Sequence, residues 1–285
     1  MITIPRHDLD VPEADKAAEL LAARLPEWRR AVVADPLGPG LAMHRSLEEF
    51  LYQCAGDPRA AWSDTWSAIV RATQAGAGLF QAAGATEGTV AFRFDESIRE
   101  RPATGPTRDS DAVNWLTAMW LAVICRERAR VDLLANVPLD VLRASGQTHD
   151  EFVLAWVHTL QLFFRREDGV IDALLAAMNG TDPEAVRVFE VNSVLQVHYP
   201  PMELLYRLTQ REDDKFNEAL ATALDLHKRY WTATHERARV PHGFVALAPL
   251  AIACLARDAG VAVEVESDYL PFHLLAATRV GEVST

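Results

Sequence analysis

A mainly α fold, a multi-helix array of packed helical hairpins, follows from three observations. Apolar residues recur at three- and four-residue spacing along most of the chain. Pro and Gly punctuate it into segments of about 10–25 residues. The period switches to two between residues 88 and 101, which predicts one small β-hairpin inserted among the helices.

Pro12 opens the first helix, whose apolar positions Ala17, Leu20, Leu21, Leu25 and Trp28 share a face, with a kink expected at Pro26. Asp35-Pro-Leu-Gly-Pro-Gly40 reads as a break, followed by a helix from about Leu41 to Cys54. Asp57-Pro58 reads as an N-cap with Pro at the first helical position. In the helix that follows, Trp62, Trp66, Ile69, Val70 and Leu79 are expected to pack, and Gly76 and Gly78 to admit a close neighbour. Thr89–Phe94 and Ser97–Arg101 alternate around Asp95-Glu96, which forms the hairpin turn.

The segment from about Asp109 to Arg128 carries Trp115, Leu116, Met119, Trp120, Val123 and Ile124, a face wide enough for a central core helix. Two short helices are expected near 129–136 and 138–145. Thr148-His-Asp-Glu151 has the form of a capping box, and Thr181-Asp-Pro-Glu184 that of a second such start. Tyr199-Pro-Pro201 is expected to end one helix and begin another, and a long helix runs from Asp213 to Trp231. From Gly243 a nearly uncharged helix leads to a break at Gly260. Beyond it a short alternating strand carries Glu264, Glu266 and Asp268 on one face. Stacked hairpins of this kind fit either a repeat solenoid or a compact fold. One all-helical domain over residues 1–285 is expected.

The chain has 285 residues, 49% hydrophobic and 24% charged, as in ordinary globular proteins. The net charge of −12 divides as −5, −4 and −3 over residues 1–100, 101–200 and 201–285, so no basic patch exists to hold nucleic acid directly. A basic protein partner is the kind such a field attracts, although acidity also serves solubility. No apolar run is long enough for a membrane span. The N-terminus lacks a basic stretch followed by an apolar one, so no secretory signal and a cytoplasmic location are expected. Cys54, Cys125 and Cys254 are too far apart for a metal clip and read as small buried hydrophobes.

No Walker A loop, dinucleotide-binding glycine turn or nucleophile elbow is present. His235-Glu236 continues to Arg239 where a zinc motif would need histidine, and His227 faces Ala223 and Trp231, so neither metal nor cofactor is expected. Glu151 and His158 share a helical face and are the one acid/base pair an enzyme could use. Trp62/Trp66 and Trp115/Trp120 are at core spacing. Tyr199, Tyr206, Tyr230 and Trp231 lie nearer helix ends, where an interface could form.

Several blocks, taken in order, resemble a known family. They include Thr86–Val90, Ala103–Pro106, Asn114–Ala118, Trp120–Arg126, Gly180–Ala185, Tyr199–Leu204, Phe216–Leu220, His227–Trp231, Leu247–Leu255 and Glu264–Leu270. Together they are similar to the Immunity 49 (Imm49) family of bacterial polymorphic-toxin systems, from about residue 60 to 275, the first 50 residues only loosely. The resemblance implies a mostly helical, cytoplasmic, non-enzymatic protein that binds and neutralises a cognate toxin, and it carries over no binding residues. An acidic inhibitor suits a basic toxin such as a nuclease. The candidate contacts are therefore acids near turns: Asp95, Glu96, Asp213, Asp214, Glu264, Glu266 and Asp268. A helical-repeat adaptor for other cellular proteins is the alternative.

Overall fold

The computed structural model describes residues 1–282. The N-terminal strand β1 (Ile2–Thr3) leads to α1 (Val11–Ala22) and α2 (Leu25–Ala34), two helices where one kinked helix was expected. Pro26 explains the difference. It stands in the first turn of α2, where a missing N–H breaks no helical bond. Helix α3 (Gly38–Gly56) begins inside the expected break, because Gly38 lets its backbone lie against α2. A Cβ on Gly38 would come within 1.9 Å of the Ala31 carbonyl oxygen.

Helix α4 starts at Ser63 and runs to Gly84, later than the Asp57-Pro58 signal suggested. Asp57 still organises that entry, since its carboxylate accepts from the Ala61 and Trp62 N–H groups and from the Thr65 hydroxyl. Trp62 is left 54% exposed at the helix start, whereas Trp66 is buried. The hairpin forms as expected from β2 (Thr89–Phe94) and β3 (Ser97–Pro102), antiparallel, with Phe94 opposite Ser97. It docks on α4 where Gly78 leaves room: a Cβ there would sit 2.3 Å from the Phe92 ring.

Helix α5 (Ala112–Ile124) is the central one, with Trp115, Met119, Leu121 and Ile124 buried. Short helices α6 (Arg128–Ala135) and α7 (Leu139–Arg143) connect it to α8 (Glu151–Arg165) and α9 (Val170–Asn179). No capping box forms at α8, and the Thr181–Glu184 segment starts no helix but a series of turns. Helix α10 (Val191–Ser193) then passes through a π-turn (Val194–His198) into α11 (Tyr199–Thr209) without leaving helical geometry. From sequence, one helix is expected to end and another to begin at Tyr199-Pro-Pro201. Helix α11 does begin at Tyr199, but the helix before it runs on into α11 through the widened turn. Pro200 and Pro201 cannot donate, and the Tyr199 N–H reaches back five residues to the Val194 carbonyl.

Helix α12 (Asp213–Trp231) has the expected bounds. After the short α13 (His235–Ala238) comes α14, which begins at Leu247, not Gly243, and ends at Asp258. Gly260, at φ +91°, turns the chain toward β4 (Val265–Glu266) and α15 (Phe272–Leu275). The fold is mainly α with small strand pairs. One apolar core runs from Trp28 to Leu275. A repeat solenoid would confine contacts to successive repeats. Here α14 packs on α5, α11 and α12, and β1 pairs in parallel with β4, so the C-terminal elements close back on the middle and the start of the chain.

Candidate partner-binding surface

The first turn of α12 carries Asp213 and Asp214, both exposed, where the helix dipole favours carboxylates. One turn on, the buried amide of Asn217 ties this end to the strand beside it. It donates to the carbonyls of Asp213 and Ala262 and accepts from the Glu264 N–H at 2.7 Å. From there the chain advances along α12, with Val265 and Tyr269 buried and Glu264, Glu266 and Asp268 exposed. Tyr269 reaches the far end of α12, its ring centroid 5.0 Å from that of His227. Five of the seven candidate acids are thus exposed, two in the first turn of α12 and three on the segment beside it, with the sequence-expected alternation intact.

The other two lie on the β2–β3 turn. Glu96 is exposed, but Asp95 is drawn inward to Arg29, whose Nε donates to it at 2.8 Å. Its side chain is 11% exposed, and its backbone N–H donates to the Gln74 side chain. Asp95 therefore pins the hairpin to α2 and α4, which removes it as a free docking charge.

Other acids are committed to the fold as well. Asp150 lies inside the expected Thr148–Glu151 capping box, and its carboxylate receives the consecutive N–H groups of Arg187, Val188 and Phe189. Burial opposes its charge, but those three donors win and hold the carboxyl below its usual range. Glu151, freed from capping, is exposed and faces Arg143 at 3.5 Å, and His158 is exposed too. Among the described residues no hydrogen bond or ion pair joins Glu151 to His158, so the acid/base pair is not assembled. The three thiols are buried and pushed up, Cys125 and Cys254 to about 12, which leaves them un-ionised. No group of three potential metal ligands occurs among the described residues.

A cavity of about 220 Å³ lies at the other end of α12. The rings of Trp120, Trp156 and Trp231 line it, together with His198, His227 and His242. The residues that line it come from α5, α8, the π-turn, α11, α12 and the entry to α14. None is Asp, Glu, Lys or Arg. Burial lowers the pKa of all three imidazoles, to about 4 for His198 and His227, and holds them neutral. His227 keeps one nitrogen 3.1 Å from the Gly243 carbonyl, which makes that nitrogen the protonated one. Gly243 is required here, since a Cβ would sit 2.8 Å from the Trp231 ring. On the outer side of the same π-turn, Leu195 and Tyr199 join Leu175 and Met178 along a shallow groove, with Leu175 and Leu195 exposed.

No helix among the described residues is long and apolar enough to cross a membrane. No curated protein and no solved structure matches the chain. The model of the family Immunity protein 49 matches residues 57–274, which include every residue around the cavity and five of the exposed acids beside α12. With most of its length matched, from α4 to α15, the chain belongs to the Immunity protein 49 family.

Proposed function

We propose that this protein is an immunity protein that binds a cognate bacterial toxin in the cytoplasm and neutralises it by covering its active surface, without catalysing a reaction. The observation that carries this reading is the family match over residues 57–274. The toxin's chemistry is inferred from charge. With 40 acidic against 28 basic residues, the chain suits a positively charged partner, such as a nuclease that must hold phosphates. The contact surface we propose runs along Asp213, Asp214, Glu264, Glu266 and Asp268, with Glu96 as an outlying contact. These side chains are exposed, so rearrangement is not needed for them to meet a partner.

Fast association is what such a field supplies. An inhibitor must engage its toxin before the toxin reaches its substrate, and long-range attraction raises the encounter rate. The test is coexpression with a candidate toxin domain encoded by a neighbouring gene. Cells expressing both are expected to grow, and the two proteins to copurify as a stoichiometric complex. Growth arrest despite abundant, folded protein would refute the reading.

A further inference from the structure

Charge explains attraction to a partner but does not explain the neutral cavity at the far end of α12. We propose that this cavity is a socket for one uncharged aromatic side chain, of Tyr, Trp or Phe, presented by the protein partner. The proposal rests on the reading that the partner is a protein toxin.

The lining fixes the chemistry of the occupant. In a chain with 40 acidic and 28 basic residues, no Asp, Glu, Lys or Arg lines this space. A buried ammonium, guanidinium or carboxylate would find no counter-ion and pay its full desolvation cost. Arginine is thereby excluded, although it is a common interface anchor. The other common anchors are Trp and Tyr, which fill desolvated pockets. The walls include three indoles and three prolines, apolar groups against which a flat ring can pack. An apolar cavity of about 150 Å³ is enough to take up benzene. The space here is of the right order for a phenol or an indole.

Its polar side chains, Thr117, Gln196, His198, His227, Trp231 and the exposed His242, are all uncharged at neutral pH. The Thr117 hydroxyl donates to the Val113 carbonyl and retains acceptor capacity. Among the described residues His198 makes no hydrogen bond, and its uncharged ring can accept a phenolic O–H or an indole N–H. The π-turn is a second, independent sign. Widened turns of this kind recur at functional sites. This one puts Val197 and His198 on the cavity and Leu195 and Tyr199 on the outer groove.

The experiment uses p-cresol and indole as stand-ins for the two side chains, with butylammonium and propionate as charged comparators. Binding is followed by calorimetry and by ligand-observed NMR on the full chain. Two variants fill the space, Ala248→Phe and Val197→Trp, and whichever retains a cooperative melt is used. Saturable binding of at least one ring is expected, weakened about tenfold or more in the filled variant, with no saturable binding of either ion. No saturable ring binding, or equal binding by the filled variant, overturns the socket. With the toxin in hand, saturating indole is expected to weaken the complex by about tenfold or more. A complex indifferent to both indole and filling would leave only a small-molecule site and overturn the anchor. If the folded chain binds no toxin at all, the immunity reading fails instead, and ring binding still decides what the cavity accepts.

Discussion

At its first turn α12 presents Asp213 and Asp214 to solvent beside the exposed Glu264, held there by the Asn217 amide. At its last turns the same helix offers His227 and Trp231 to a space that no Asp, Glu, Lys or Arg lines. The two ends differ in what they can do to a partner. Exposed carboxylates act over about a Debye length and govern how fast a complex forms, with little effect on how long it lasts. A desolvated pocket acts only on contact and governs dissociation. One helix thus joins a surface that attracts to a cavity that can retain.

The largest expected effect concerns the wall of the cavity. Phe189 packs edge-on against His198, ring centroids 4.9 Å apart, and its backbone is fixed by Asp150. Asp150→Ala leaves three N–H groups without their acceptor and should cost about 2–4 kcal/mol, measured by urea denaturation. Ring binding should fall with it, while the salt dependence of toxin association stays as it was. An unchanged midpoint would remove Asp150 from the account.

Acid should separate the two ends as well. The pKa of His227 is lowered from 6.5 to about 4, so the unfolded chain takes up a proton at pH values where the folded one does not. Stability is therefore complete above about pH 6.5 and declines as pH falls toward 4, by roughly 3 kcal/mol for this residue. His198, shifted in the same direction, adds to the slope. His227→Phe should flatten the profile between pH 6.5 and 4 relative to the parent chain, as read by thermal melts. A slope identical to the parent's would mean that His227 is not held neutral.

Reversing Glu264, Glu266 and Asp268 together to Lys should slow association with the toxin by about tenfold at low salt and flatten its salt dependence. The melting temperature should hold, because these side chains are exposed and bear no part of the core. Dissociation should change far less than association. The reverse pattern would show that the acidic run holds the partner more than it attracts it.

The smallest effect distinguishes two neighbours in the hairpin turn. Asp95→Asn keeps a residue tolerant of φ +58° and removes the charge facing Arg29, a loss of about 1 kcal/mol or less. Toxin association should barely respond. Glu96→Gln should leave stability alone and slow association slightly.

What could be read from the sequence was local. The α12 bounds follow from its acidic start and helical period, and the hairpin from alternation around Asp95-Glu96, both settled within a few neighbouring residues. The exposed acids were legible for the same reason, since alternation alone puts Val265 inward and its neighbours outward. Distant partners were not legible. Asp150 looks like part of a capping box until the N–H groups 37–39 residues later are seen around it. Asp95 looks like a free turn acid, but Arg29 lies 66 residues earlier. Tyr199-Pro-Pro201 signals a helix end wherever tertiary packing is unknown; a π-turn absorbs it here. The cavity is the extreme case, drawing on residues from Val113 to Pro249 with no local pattern to announce it. The one available hint was that Trp231 sits at a helix end, where an interface could form.

Titrating the purified toxin domain with this chain, while following the toxin's own activity, tests the central claim most directly. Occlusion predicts a linear fall in activity that ends at a fixed whole-number ratio of chain to toxin and reverses when the chain is removed. Inactivation by substoichiometric chain, or lasting loss of activity after its removal, would mean that it alters the toxin chemically and would contradict the account.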